Sequence, residues 1–224
     1  VLKTQIQSAR RGDVTPGEAW IELEDTVDRA TRLANQMLSL ARIEQVHEQS
    51  QQPVPTDLDA AVREVALDVA PLLAQHGIDF ELRAQSLTVL AHDWMLRELC
   101  RNLLHNAVKA MPHGGSLTLA LQADGPHALL QLSDSGPGIT GALRDHLFEP
   151  FARGTHGEGH GLGLAICREI VAVLGGRIRL DNRQDAVGQV VGLDACVWLP
   201  LAAVAPATTA GPAPTMPAPP APPT

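Results

Sequence analysis

Tyrosine is absent and aromatic residues make up only 3% of the chain. That removes the stacking platforms used by single-stranded nucleic-acid binders and by paratope-like surfaces. Basic charge is also in deficit, with 17 Lys+Arg against 25 Asp+Glu and a net charge of −8. No nucleic-acid partner is expected, because the phosphate backbone rewards a basic face. The three cysteines, Cys100, Cys167 and Cys196, are odd in number and lack metal-ligand spacing. They read as reduced thiols of a cytosolic protein and exclude a disulfide framework or a cysteine-built zinc site. No stretch approaches the roughly 18 uninterrupted apolar residues of a membrane span, and the opening residues do not read as a secretory leader. What is present is material for a core. Apolar residues are 45% and charged residues 19% of 224, which excludes wholesale disorder and fits one domain with an appendage.

The pattern changes along the chain. Leu2, Ile6 and Ala9 form a helical stripe that Gly12 ends, and Thr15-Pro16-Gly17-Glu18 is a restart with a capping-box acid. Trp20, Leu23, Val27, Ala30, Ala34, Met37 and Ala41 then alternate spacings of three and four, a heptad seam widened by Leu33 and Leu40. A two-helix hairpin cannot bury such a seam alone, so a homodimeric four-helix bundle is expected; the alternative is an amphipathic helix laid on the chain's own core. The hairpin is placed at residues 1–48 and a polar, proline-bearing linker at 49–56.

Residues 57–201 read as an α+β sandwich, with helices on one face of a sheet. A helix carries Leu58, Val62, Val65, Val69 and Leu72 and ends at Gly77. Strands are expected at Ile78–Leu82 and Leu87–Ala91, a helix capped by Asp93 runs to Ala110, and a hairpin of Ser116–Gln122 with His127–Ser133 turns at Asp124-Gly125. A helix at Leu162–Leu174 and strands at Arg177–Leu180 and Ala195–Leu199 close the domain. Residues 202–224, rich in alanine and proline and without charge, are expected to be a disordered spacer.

Three clusters could carry chemistry. In Glu98-Leu99-Cys100-Arg101-Asn102-Leu103-Leu104-His105-Asn106-Ala107-Val108-Lys109 the two asparagines lie one turn apart, with a cation three residues on. Neutral oxygens beside a positive charge suit a magnesium-bridged phosphate, although a helix that merely solvates two amides has the same pattern. Asp134-Ser135-Gly136-Pro137-Gly138-Ile139 follows a strand; its glycines let backbone pass close to a flat ligand, and its carboxylate can accept from an exocyclic amine. Gly157-Glu158-Gly159-His160-Gly161-Leu162-Gly163-Leu164-Ala165-Ile166 runs glycines into a helix N-terminus, a phosphate-binding arrangement. Phe148-Glu149-Pro150-Phe151-Ala152-Arg153-Gly154 before it reads as a lid hinged on two aromatics, or simply as a flexible loop.

In this order the clusters resemble the catalytic and ATP-binding domain of two-component sensor histidine kinases, a fold shared with Hsp90-like ATPases. Glu98–Lys109 is similar to that family's N box, Asp134–Ile139 to the first glycine box, Phe148–Phe151 to the F box and Gly159–Ile166 to the second glycine box. The upstream helices resemble the family's dimerisation and phosphotransfer hairpin. The resemblance implies ATP with Mg2+ as cofactors, Asn106 as the metal ligand, and Asn102, Asn106 and Lys109 as the catalytic set. It implies that Asp134 receives the adenine amine, with Gly136, Gly138 and Ile139 along the base. Lys109 and the Gly161-Leu162-Gly163 amides would hold phosphates, and Phe151, Arg153, Gly159 and Leu164 would complete the pocket. Hydrolytic relatives carry a glutamate where Asn102 stands. The amide cannot act as a base, which suits delivery of the γ-phosphoryl to a histidine and then to a response-regulator aspartate. A hydrolytic ATPase and a non-catalytic nucleotide-binding dimer scaffold are the alternatives.

The chain departs from the family pattern in places. No histidine precedes His47, so the family's phosphoacceptor is expected upstream of Val1, and the resemblance implies a cytoplasmic fragment of a membrane-anchored parent. His160 precedes the Gly-Leu-Gly-Leu run where a small residue is usual, Ala110 stands where an aromatic is common, and the last glycine box is faint around Gly188 and Gly192.

Overall fold

In the computed structural model, residues 15–48, 52–111, 114–144, 146–150 and 161–202 are described. Their elements are α1 (Pro16–Glu48), β1 (Val54–Asp57), α2 (Leu58–Gln75), β2 (Ile78–Ala84), β3 (Thr88–Ala91), α3 (Asp93–Ala110), β4 (Gly115–Asp124), β5 (His127–Asp134), α4 (Gly141–Arg144), α5 (Gly163–Val173), β6 (Arg177–Gln184) and β7 (Val190–Pro200). The stripe at Leu2, Ile6 and Ala9 and the tail from residue 203 onward lie outside the described residues.

Five strands form one mixed sheet in the order β2-β4-β5-β7-β6. β2 runs parallel to β4 and the remaining neighbours are antiparallel. Period-two alternation decides which face is covered. Leu117, Leu119 and Leu121 of β4, Leu130 and Leu132 of β5, and Val197 and Leu199 of β7 are buried, and they share a core with α2, α3 and α5. Val62, Val65 and Val69 come from α2, Leu96, Leu99 and Leu103 from α3, and Ile166 and Ile170 from α5. Each fully buried side chain of this kind stabilises the fold by roughly 1.5–3 kcal/mol. The interleaved Thr118, Ala120, Gln131 and Ser133 line a depression of about 520 Å³ on the other face, which holds none of the motif residues. The α+β class, with helices on one side of the sheet, is as the sequence predicts.

Local signals explain the boundaries. At the start of α1 the Thr15 N–H donates to Glu18 Oε2 at 3.0 Å and the Glu18 N–H donates to Thr15 Oγ1 at 3.3 Å, the reciprocal capping box. Asp57 caps α2, its Oδ1 accepting from the Asp59 and Ala60 N–H groups at 3.0 and 3.2 Å.

Several boundaries differ from expectation: β6 runs on to Gln184 and β7 begins at Val190, both longer than the apolar alternation suggests. Asp93 does not cap α3; His92 is the cap residue without a side-chain bond, and Asp93 turns instead to Arg97 at 2.6 Å. Val54–Asp57, placed in the polar linker, is a strand that pairs antiparallel with Thr88–Ala91 in a separate two-stranded sheet. Pro55 is compatible with that because a two-stranded ribbon has only edge strands. Ala202, placed in the tail, donates to the Thr88 carbonyl at 2.8 Å.

α1 has two apolar faces. Ile43 and Val46 are buried, Leu33 and Leu40, expected to widen the seam, pack against the domain core instead, and the helix lies on α5. The Arg42 guanidinium sits 4.2 Å from the centre of the Trp94 ring. The seam face stays uncovered within the single chain, with Trp20 73%, Val27 51% and Met37 50% exposed. No described helix is long and apolar enough to cross a membrane.

Candidate functional site

Asp134 is the last residue of β5 and is 4% exposed. Its Oδ1 accepts from the Gly136 N–H at 2.8 Å and the Leu193 N–H at 3.2 Å. Oδ2 has no hydrogen-bond partner among the described residues. One oxygen is thus spent on fixing the side chain, and the other is left to accept from a ligand N–H. Burial pushes the Asp134 carboxyl above the ordinary carboxylate value; the two backbone N–H donors and the nearby Arg183 oppose that shift. Arg183 Nη2 also donates to the Asp134 carbonyl at 2.8 Å.

Close approach requires glycine on both sides of this carboxylate. A Cβ on Gly192 of β7 would lie 2.0 Å from the Asp134 carbonyl oxygen, and one on Gly136 would meet Asp134 Oδ1 at 3.0 Å and Ala110 Cβ at 3.3 Å. A cleft of about 370 Å³ opens here between Ala110 and Met111 on one wall, Gly136 and Pro137 on another, and Val190 and Val191. The small side chain of Ala110 is what lets α3 and the Gly136 turn approach each other.

The second group forms where α3 meets the start of α5. The Asn102 Nδ2 donates to the Glu98 carbonyl and to Glu98 Oε1, both at 2.9 Å. Both its hydrogens are committed, so its Oδ1 is turned away from Glu98 and lies 3.2 Å from where a Gly163 Cβ would stand. Asn106 approaches the same point at 3.3 Å. Gly163 therefore packs directly on the two amides. The Asn106 Nδ2 is buried without a hydrogen-bond partner in the described structure. The unsatisfied Nδ2, beside a helix N-terminus, is a donor suited to an acceptor such as a phosphate oxygen, while the Oδ1 of the same amide is the kind of hard oxygen that Mg2+ takes.

Leu162 is the N-cap residue of α5 and makes no side-chain capping bond. The first-turn N–H groups therefore point out of the helix end, as an anion site requires. Lys109 is on the last turn of α3 and exposed.

The structure brings Asn102, Asn106, Gly163 and the Gly161–Leu164 turn together, and sets Asp134, Gly136, Gly138 and Ile139 on the neighbouring strand end. Phe151, Arg153 and Gly159 lie outside the described residues. Sequence reasoning passed over Glu98 as a partner of Asn102, and Asn182 and Arg183 as partners of the Asp134 turn. A signal existed for Asn182. Ile178 and Leu180 alternate toward the covered face of β6, and an asparagine takes the next position on that face.

Residues 92–203 match the family described as histidine kinase-, DNA gyrase B- and HSP90-like ATPases. The chain is 29% identical over 210 residues to the sensor protein kinase PmrB of Pseudomonas aeruginosa. That alignment covers 89% of this chain and 42% of PmrB, so the chain spans less than half the length of that curated relative. Among solved structures, the mycobacterial sensor histidine kinase MprB superposes with a TM-score of 0.61 at 32% identity over 66% of this chain and 98% of its own. Full-length ShkA in complex with AMPPNP superposes with a TM-score of 0.66 at 26% identity, over 84% of this chain and 40% of that one. The matched residues contain both asparagines of α3, the Asp134 strand end and the glycine turn into α5. The chain belongs to the histidine kinase-, DNA gyrase B- and HSP90-like ATPase family.

Proposed function

We propose that this chain is the catalytic part of a sensor histidine kinase, binding Mg-ATP between α3, the Asp134 turn and the start of α5. In this reading Asp134 Oδ2 accepts the adenine amine while Gly136, Gly138 and Ile139 flank the base. Lys109 and the N–H groups around Gly161-Leu162-Gly163 hold the phosphates, joined by Phe151, Arg153, Gly159 and Leu164. Asn106 supplies an amide oxygen to Mg2+. When bound, the metal neutralises phosphate charge, which phosphoryl transfer needs more than it needs covalent help from the protein.

The observation that carries the kinase reading is position 102. An acid there would activate water, but Asn102 is an amide whose nitrogen is tied to Glu98. The site positions and neutralises without a base of its own at that point, so the γ-phosphoryl awaits an acceptor brought to it. That acceptor is a histidine on a helical hairpin upstream, and the phosphoryl group passes onward to an aspartate of a response regulator. The residues up to 48 belong to the dimerising hairpin, and the catalytic domain runs from Val54, the start of β1, to Ala202, which leaves a linker shorter than the sequence suggests. The chain works on the cytoplasmic side of a membrane-anchored parent.

Calorimetric titration of ATP, with and without magnesium, into the wild-type chain and Asp134→Ala tests the first half. Saturable binding that magnesium strengthens and the substitution weakens at least about tenfold is expected; no binding by the wild type overturns the reading. Phosphorylation of an added acceptor-bearing hairpin tests the second half, and steady ATP hydrolysis without labelled histidine would favour a hydrolytic ATPase.

A further inference from the structure

The Asp134 turn is held at its far end by a residue that lies well outside the motifs. Asn182 stands on β6, the edge strand, in register with Leu193 of β7, which is in register with Asp134 of β5. Residues 182, 193 and 134 thus form one row across three strands. Past Asp134 the chain crosses above this row, a distance of about two strand spacings or 10 Å, and meets Asn182 from the other side. There the Ile139 N–H donates to Asn182 Oδ1 at 2.7 Å and Asn182 Nδ2 donates to the Ile139 carbonyl at 2.8 Å. The side-chain amide copies a backbone amide and pairs with Ile139 as a neighbouring strand would. Gly138 fits beneath it, with φ +71°; a Cβ there would lie 2.7 Å from Asn182 Oδ1 and 2.6 Å from Val190 Cγ1.

We propose that Asn182 is a positioning residue of the nucleotide site: its two-way pairing with Ile139 fixes the Gly136–Ile139 turn, so that the turn is already shaped when ATP arrives. This rests on the nucleotide-binding reading above. The turn has two anchors, the Asp134 carboxylate at one end and the Asn182 amide on Ile139 at the other, and the four residues between Asp134 and Ile139 include two glycines. Without the second anchor those glycines sample many conformations, and binding must then order them. Asparagine is specific for the role because it offers one donor and one acceptor at that reach. Aspartate keeps the acceptor for the Ile139 N–H but sets a second oxygen against the Ile139 carbonyl.

The experiment measures binding of AMPPNP with magnesium to the full 224-residue chain as wild type, Asn182→Ala, Asn182→Asp and Asp124→Ala. The last removes the acceptor for Trp198 Nε1, a 2.8 Å bond at the other end of the sheet, and controls for general loosening. Affinity is expected to fall on the order of tenfold in both Asn182 variants and to stay at the wild-type value in Asp124→Ala. The Asn182→Asp defect relative to wild type should narrow on acidification, because a protonated carboxyl regains the donor. Amide exchange at Ile139 in the nucleotide-free chain should accelerate in Asn182→Ala. Wild-type affinity in a folded Asn182→Ala, or in the isosteric Asn182→Asp if the alanine variant does not fold, overturns the inference while leaving the nucleotide reading intact. No binding by the wild type fails the nucleotide reading itself.

Discussion

Asp134 works with one oxygen committed and one open, and this gives its titration a direction. Protonation would place the hydrogen on the uncommitted Oδ2, since Oδ1 already accepts two N–H groups, and would turn the ligand-facing acceptor into a donor. Nucleotide affinity should therefore weaken on acidification with a midpoint above 3.8, the ordinary value, because burial raises this pKa. Asp134→Asn should bind less tightly and lack that step; a wild-type profile flat down to pH 4 would contradict the assignment. The same shift acts on stability with the opposite sense. The folded state holds the proton more tightly than the unfolded chain, so the ionised form counts against folding, and that cost develops as pH rises through the window above 3.8.

The buried thiols make a second statement at this scale. Burial pushes Cys100 up to about 12 and raises Cys167 as well. Neither should react with iodoacetamide at neutral pH until the chain unfolds, which mass spectrometry across a denaturant series reads directly.

At the scale of elements, β7 is aligned to β5 through a glycine that touches the partner strand. Gly192→Ala puts a methyl group into the Asp134 carbonyl, and a loss of about 1–3 kcal/mol together with weakened nucleotide binding is expected. Asp57→Ala removes only the α2 cap. It should cost about 1 kcal/mol, lower the melting temperature by a few degrees and leave binding alone. Paired denaturation and titration curves separate the two cases.

These elements were unevenly legible. Strands with strict alternation, such as Leu117-Thr118-Leu119-Ala120-Leu121, declared their inner face, and the Thr15–Glu18 box marked the start of α1. Val54–Asp57 did not, because two prolines within three residues read as a linker and its partner Thr88–Ala91 is more than thirty residues away. The site divides in the same manner. Asn102, Asn106, Asp134 and the glycines fall within short contiguous stretches, whereas Asn182 and Arg183 reach the Asp134 turn only through strand pairing between β5, β7 and β6. Register of that kind is set by the folded sheet and leaves little local trace.

For the whole molecule, the uncovered seam of α1 is the feature that asks for a second copy. Val27→Glu and Met37→Glu should shift a dimer to monomer in sedimentation equilibrium without lowering the melting temperature of the α+β domain, since both positions are half exposed in the single chain. A chain that sediments as a monomer at all concentrations before substitution would remove the basis for a bundle. The other face of α1 has a different owner. Ala41 on the seam and the buried Ile43 are two residues apart, about 200° around the helix. Association along one side and attachment to α5 on the other can coexist without either displacing the other. A nucleotide that leaves α1 seated and adds no contact across the bundle would not shift the association constant, because a ligand that does not distinguish monomer from dimer cannot favour one of them. A dependence of self-association on ATP would show that the nucleotide distinguishes monomer from dimer, and its size would be the coupling free energy between the pocket and the seam.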